Sequence, residues 1–223
     1  MSESLPARAW RVLREEGVRS VWFRALAALG YRRLYLLRRS LAEPILACDP
    51  SLPVTIEWLT MTDAEAYRAF RGATRDDATG RLESGDRCLV ARHDGRIVGA
   101  MWGSTAKAPS IYLGRDLPLG GGEAFQFDAY TAPVVRGLGI APALSAAWLQ
   151  QLRDEGFSTA ARLTLPENAA ALRAHGKAGY VVTGIVRSVR LGPWRRDFPV
   201  RPLPPFAAAA SPAARRSTSR SSS

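Results

Sequence analysis

The residues from Val134 to Leu144 read VVRGLGIAPAL, two glycines one residue apart after an arginine and before an apolar, helix-like run. A strand, a glycine turn and a helix in immediate succession can hold an anion. The first helical N–H groups have no intrahelical partner, and the helix dipole adds partial positive charge there. Gly137 and Gly139 lack Cβ atoms, so a phosphate can come close to the backbone, and Arg136 adds a full charge at the same place. Pro142 cannot donate an N–H but is tolerated in a first helical turn. A purely structural turn uses the same residue types, since glycine is a common turn residue.

Three phosphate-binding readings compete. A P-loop needs Gly-Lys-Ser/Thr at the helix start, where this chain has Ile140-Ala141-Pro142. A dinucleotide fold needs repeated parallel βαβ units, whereas the strands before the turn read as an antiparallel hairpin. The third reading is a coenzyme A site.

The elements around the turn follow from period and punctuation. VTIEWL, from Val54, alternates as a strand, and Thr62 can cap a helix DAEAYRAFRG. CLVARHDGRIVGAMWG is a hairpin signal around Asp94–Gly95. A Pro- and Gly-containing loop leads to the strand AFQFDAYTA. Ile140, Leu144, Trp148 and Leu152 fall four apart on one helix face, and Gly156 ends that run. TAARLTL is the next strand, Asn168 caps an Ala-rich helix stopping at Gly179, and YVVTGIVRSVRL is a further strand.

Here the residues carry a resemblance. Arg136-Gly137-Leu138-Gly139-Ile140-Ala141 fits the R/Q-x-x-G-x-G/A signature of the GNAT superfamily, the acetyl-CoA-dependent N-acyltransferases. Tyr130-Thr131-Ala132-Pro133 looks like the end of that family's fourth strand. Lys177-Ala178-Gly179-Tyr180 is similar to its K-x-G-F/Y ending, with Asn168 twelve residues before Tyr180. The resemblance covers roughly residues 54–191, in the element order β-α-β-β-β-α-β-α-β. It implies an α/β (α+β) fold: a mixed, mostly antiparallel sheet with helices on both faces.

The resemblance also implies roles. Amides from Leu138 to Ala141 would bind the pyrophosphate of acetyl-CoA or another acyl-CoA, with Arg136 helping to neutralise it. The strand ending at Thr131 would splay from Thr159–Leu165, and the pantetheine arm would lie in the gap like an added strand. An N–H near Thr131 would stabilise the oxyanion, and Asn168 would sit by the arm as well as capping its helix. Many relatives place a tyrosine four residues before the glycine of K-x-G-F/Y, where it protonates the departing thiolate. This chain has His175 there, and histidine titrates near neutrality.

Asp128 is the carboxylate nearest the splay and Glu123 lies further back; alternation puts them on opposite faces unless a bulge intervenes. Some relatives carry a carboxylate where this chain has Phe127, and water-relayed deprotonation or a neutral amine would need no strong base.

Composition bounds the rest. The chain has 223 residues and a net charge of +11, with 31 basic residues that are nearly all arginine, a skew of GC-rich bacterial genomes. Residues 1–44 hold nine Arg against four Glu, and residues 192–223 hold six Arg against Asp197. The middle, 45–191, is close to neutral and reads as the catalytic domain. Residues 1–44 read as a basic amphipathic helical extension, one long helix or two shorter ones. They could contact an anionic membrane surface or pack on the domain. Residues 192–223 read as a basic tail with too little apolar content to fold and no aromatic interleaving for nucleic-acid bases. Two cysteines without CxxC spacing and two histidines give no metal pattern, so no metal is expected. With no cleavable signal and no apolar run near ~20 residues, a cytoplasmic protein is expected, peripheral at the inner membrane face if the extension binds lipid. The leading expectation is acyl transfer to an amine of a small molecule or protein terminus. The rivals are an envelope-associated aminoacyl or acyl transferase, and a non-catalytic CoA-binding or scaffold module.

Overall fold

The computed structural model describes residues 30–72, 77–110 and 113–207. Ten strands and four helices follow one another in these segments. The strands are β1 (Tyr31–Ser40), β2 (Thr55–Trp58), β3 (Arg87–His93), β4 (Arg96–Ser104), β5 (Lys107–Ser110), β6 (Arg115–Pro118), β7 (Glu123–Thr131), β8 (Thr159–Thr164), β9 (Val181–Leu191) and β10 (Trp194–Ala207). The helices are α1 (Ala64–Arg71), α2 (Ala78–Glu83), α3 (Ile140–Asp154) and α4 (Ala169–Lys177).

Eight strands form one sheet in the order β10-β9-β1-β8-β7-β4-β3-β2, and β5–β6 make a separate hairpin. Every neighbouring pair is antiparallel except β7 and β8, which run parallel because α3 carries the chain across between them. The mixed, mostly antiparallel sheet expected from sequence is therefore present, with helices on both faces.

One face packs α3 and α4. Ile140, Leu144, Trp148, Leu149 and Leu152 of α3 meet Leu37, Leu89, Met101 and Ala160 of the sheet. Gly103 lets α3 close down, since a Cβ there would stand 2.0 Å from the Trp148 ring. The opposite face is covered in two parts. The β5–β6 hairpin packs on Leu34, Leu36, Phe125 and Val186, and Tyr67 of α1 with Ala78 of α2 packs on Cys88, Val90 and Trp102. The β3–β4 turn has both central residues at positive φ, Asp94 at 48° and Gly95 at 74°, the geometry the Asp-Gly pair predicts. The helix start near Thr62 is arranged differently from expectation: Thr60 and Asp63 make a reciprocal capping box.

Two differences at the chain ends are larger. The helical reading of residues 1–44 fails for residues 31–40, which form a strand in the middle of the sheet, between β8 and β9. A strand covered on both faces loses its alternation, so Leu34, Leu36 and Leu37 can all be buried. Its arginines find specific partners, Arg33 on Glu167 and Arg38 on Glu123. Residues 1–29, which carry the rest of that extension, lie outside the described residues. The expectation of an unfolded 192–223 fails in the same way for 194–207, which is the edge strand β10. Its four prolines are tolerable at an edge, and it buries little beyond Leu203 and Phe206. Residues 208–223 are outside the described residues.

Candidate active site

The site begins where β7 and β8 part. Their parallel pairing runs through Glu123↔Thr159, Ala124↔Ala160 and Phe125↔Ala161, and stops. From Gln126 onward β7 continues alongside β4 only. A bulge falls in that stretch. Ala100 pairs Tyr130 and Trp102 pairs Phe127, so Met101 alone faces both Asp128 and Ala129. Asp128 takes φ 44°, an uncommon conformation for a non-glycine residue. The bulge turns Asp128 toward the α1 and α2 side and leaves Ala129 on the α3 and α4 side.

On that second side lies a cleft of about 850 Å³. Met101 and Ala129 form its floor near the parting, Ala141, Pro142 and Ser145 of α3 one wall, and His175 with Ala178 the other. Residues 43–48 cross over it on their way from β1 to β2.

The glycine turn stands at the head of α3. Gly137 and Gly139 have φ of 85° and 82°, and Gly139 is the N-cap. Among the described residues, the amides of Gly137, Leu138, Gly139, Ile140 and Ala141 make no backbone hydrogen bond, as an anion site requires. The two glycines differ in purpose. A Cβ on Gly137 would meet open space, whereas one on Gly139 would come 3.1 Å from Cα of Pro50. The crossing segment also ties down the turn, with the Ser51 N–H donating to Leu138 O at 2.9 Å. Gly137 therefore leaves room outside, and Gly139 makes room for the chain itself. Arg136 is exposed and donates through Nε to Thr131 O at 3.2 Å, joining the end of β7 to the turn.

Both carboxylates are engaged by arginine. Glu123 is buried where β7 and β8 still pair, accepting from Arg38 Nε at 2.6 Å and from the Gly120 N–H at 3.1 Å. Asp128 accepts from Arg71 at 2.9 Å and Arg81 at 2.7 Å, one oxygen each. The bulge puts both on the same side of the sheet, the exception that strand alternation allows. Only Asp128 stands beside the parting. Asn168 accepts from the Ala171 N–H at 3.0 Å, the N-cap bond its sequence position predicts.

His175 lies against the Tyr180 ring at 6.1 Å, edge to face. Burial and the nearby Arg162 cation push its pKa from 6.5 down to about 3, so the imidazole is neutral at physiological pH. A neutral imidazole differs from the imidazolium that a poised acid near neutrality would require. Tyr180 is buried, donates to Gln126 Oε1 and has its phenol pushed up to about 12 by burial. Arg162 covers the Tyr180 ring at 5.3 Å. Sequence reading passed over Arg162, although an arginine inside the apolar strand TAARLTL was the signal. The crossing segment 43–48 gave no signal, because its place depends on where β1 inserts. No group of three or more His, Cys, Asp or Glu side chains able to hold a metal occurs among the described residues.

A sheet split at a parallel pair, with unpaired amides at the head of the connecting helix, defines a class of α/β folds with an opening lined by backbone donors. The chain belongs to the acetyltransferase (GNAT) family, whose model matches residues 54–180. A mycothiol acetyltransferase of Cellulomonas flavigena is 29% identical over 119 residues, which is 52% of this chain and 32% of that protein. The chain thus matches about a third of the length of that curated relative. Two solved structures share the fold. One is an acetyltransferase of the same family from Novosphingobium aromaticivorans, with TM-score 0.50 and 21% identity over 71% of this chain and 65% of that one. The other is a fungal glucosamine N-acetyltransferase region in a multi-domain β-N-acetylglucosaminidase, with TM-score 0.53 and 17% identity over 76% of this chain and 22% of that one.

Proposed function

We propose that the protein transfers an acetyl or other acyl group from an acyl-CoA to an amine, by direct attack of the amine on the thioester. The observation that carries this reading is one continuous path. It runs from Ala141, the last of the unpaired amides of 137–141, through the 850 Å³ cleft, to Ala129 and Arg162, which follow the point where β7 leaves β8. The amides and Arg136 would hold the pyrophosphate, and the pantetheine arm would lie along the unpaired edge of β7. The irregular backbone at Asp128–Ala129 would present an N–H to the thioester oxygen in place of a ladder partner.

The amine nitrogen forms a bond to the carbonyl carbon, the C–S bond breaks, the amine gives up one proton and CoA leaves as a thiol. The amine would approach from the α1 and α2 side, where Asp128 can orient it. Accepting a proton at either Asp128 oxygen would displace an ion pair, so deprotonation through water, or arrival of an already neutral amine, fits this site better than a strong base. His175, neutral here, can hydrogen-bond to the sulfur but is not an imidazolium acid. Glu123 and Asn168 would act as supports, one fixing β7 to β1 and the other capping α4. A small-molecule acceptor is favoured over a protein terminus by the relative named for mycothiol.

Titration calorimetry with free CoA tests the reading. Wild type should bind CoA, and Arg136→Glu should weaken binding by on the order of tenfold through charge reversal beside the phosphates. Absence of binding at millimolar CoA would remove the proposal.

A further inference from the structure

Two arginines in the described structure are less than a tenth exposed, Arg39 at 5% and Arg162 at 7%. Arg39 is a strut: it donates to Ala178 O and to Pro44 O, tying β1 to the end of α4 and to the crossing segment. Arg162 is different. It lines the cleft, and among the described residues no hydrogen bond or carboxylate partner engages it; its neighbour is the face of Tyr180. Burial depresses its pKa, yet a guanidinium remains charged at any physiological pH. A cation so little exposed and without an anion beside it is costly, and an anionic group of a ligand in the cleft would offset that cost.

Its position says which part of a ligand that would be. Ala161 makes the last β7–β8 pair and Arg162 follows it, so the guanidinium sits at the closed end of the split. The glycine turn lies at the other end, beyond Thr131. Gln126 to Thr131 spans about 17 Å at the usual rise of a strand. The phosphates of a bound acyl-CoA thus belong far from Arg162, and its acyl end belongs close. A departing thiolate carries charge only briefly, whereas a permanently buried cation is matched by a permanent anion. Besides Arg162, the cleft wall carries Arg39, Arg173 and Lys177 against Glu43 alone, which adds to the preference for negative charge.

We infer that Arg162 receives a carboxylate at the far end of the acyl group, so that the preferred donor is the CoA thioester of a short dicarboxylic acid rather than acetyl-CoA. The inference rests on the acyl-CoA reading above. A carboxylate on the acceptor is the other source of the same chemistry. It is disfavoured because Arg162 faces the α3 and α4 side while Asp128 faces the opposite side.

Calorimetric titration of the full-length protein with free CoA, butyryl-CoA and succinyl-CoA tests this, since the two acyl groups have the same chain length and differ in the terminal carboxylate. Wild type should bind succinyl-CoA on the order of tenfold tighter than butyryl-CoA, the factor expected of one charge-assisted pair. Arg162→Met should bring that ratio to about one or below, and Arg162→Lys, with a point charge, should keep part of it. Equal wild-type affinities for the two thioesters would overturn the inference while leaving the acyl-CoA reading intact. So would an equal loss across all three ligands in Arg162→Met, which would place the arginine on the body of CoA. Binding of free succinate beside acetyl-CoA, without a preference for the succinyl thioester, would assign the carboxylate to the acceptor instead. Failure of free CoA to bind would remove both readings.

Discussion

The depressed pKa of His175 makes a stability prediction that needs no substrate. In the folded protein the imidazole stays neutral down to about pH 3, while in the unfolded chain it takes a proton near pH 6.5. Below 6.5 the unfolded state therefore binds a proton that the folded state does not, and stability falls as pH falls. The loss begins at the unfolded value and grows until the folded one is reached. Each pH unit inside that window is worth about 1.4 kcal/mol, so at about pH 5 the loss from this residue is about 2 kcal/mol. His175→Gln removes the titration and keeps a polar side chain at the site. Urea unfolding of both proteins at about pH 8 and about pH 5 isolates the effect, because every other titrating group is common to the pair. Wild type should lose about 2 kcal/mol more than the variant on acidification. Parallel losses would show that His175 titrates normally in the folded state, and would return it to the role of a poised acid. A neutral His175 also predicts the activity profile: acyl transfer should not decline as pH rises through 6.5, the decline an imidazolium acid would produce.

Deleting residues 1–44 should abolish folding, since it removes a central strand holding Leu34 and Leu37 at 0% exposure; deleting 1–28 should leave a cooperative urea transition, since every described contact is kept. A folded 45–223 fragment would mean that β1 is dispensable. Gly137→Ala and Gly139→Ala both place a side chain at positive φ, worth about 1–2 kcal/mol each. Gly139→Ala should cost more, because its methyl also meets Pro50, and equal losses in urea unfolding would refute the close packing described for that turn.

Local chemistry was legible in the sequence wherever a residue type has one strong geometric use. Asp94–Gly95 could be read as a hairpin turn, Asn168 as an N-cap and Gly137–Gly139 as a helix head, because backbone conformation or an unpaired N–H dictates each. What could not be read was long-range. YRRLYLLRRS has apolar residues at both helical and strand spacings, and its arginines suggested a solvated face. Only the partners Glu123 and Glu167, far along the chain, show that these cations belong inside a sheet. The length of β10 was hidden for a related reason: an edge strand gains backbone bonds from β9 without needing a buried face of its own. At the site, the electrostatics of His175 depended first on its burial in the fold and then on Arg162, in the preceding strand and thirteen positions away in sequence.

The insertion of β1 also ties the fold to the chemistry. With β1 between β8 and β9, the chain must travel from the middle of the sheet to its far edge before β2 can form. The route taken passes over the cleft at residues 43–48 and then against the glycine turn at Pro50 and Ser51. Arg39 holds the start of that route through Pro44 O while its other nitrogen holds the end of α4 through Ala178 O. The glycine turn is thereby braced from outside, by a segment that the family match at 54–180 does not include. A turn with five unpaired amides has little to fix its own geometry; the bond from Ser51 and the contact at Pro50 supply part of what an anion would otherwise have to organise on binding. The residues that would set the shape of the proposed phosphate site are therefore not only the glycines of the turn, but also the N-terminal chain that passes beside them.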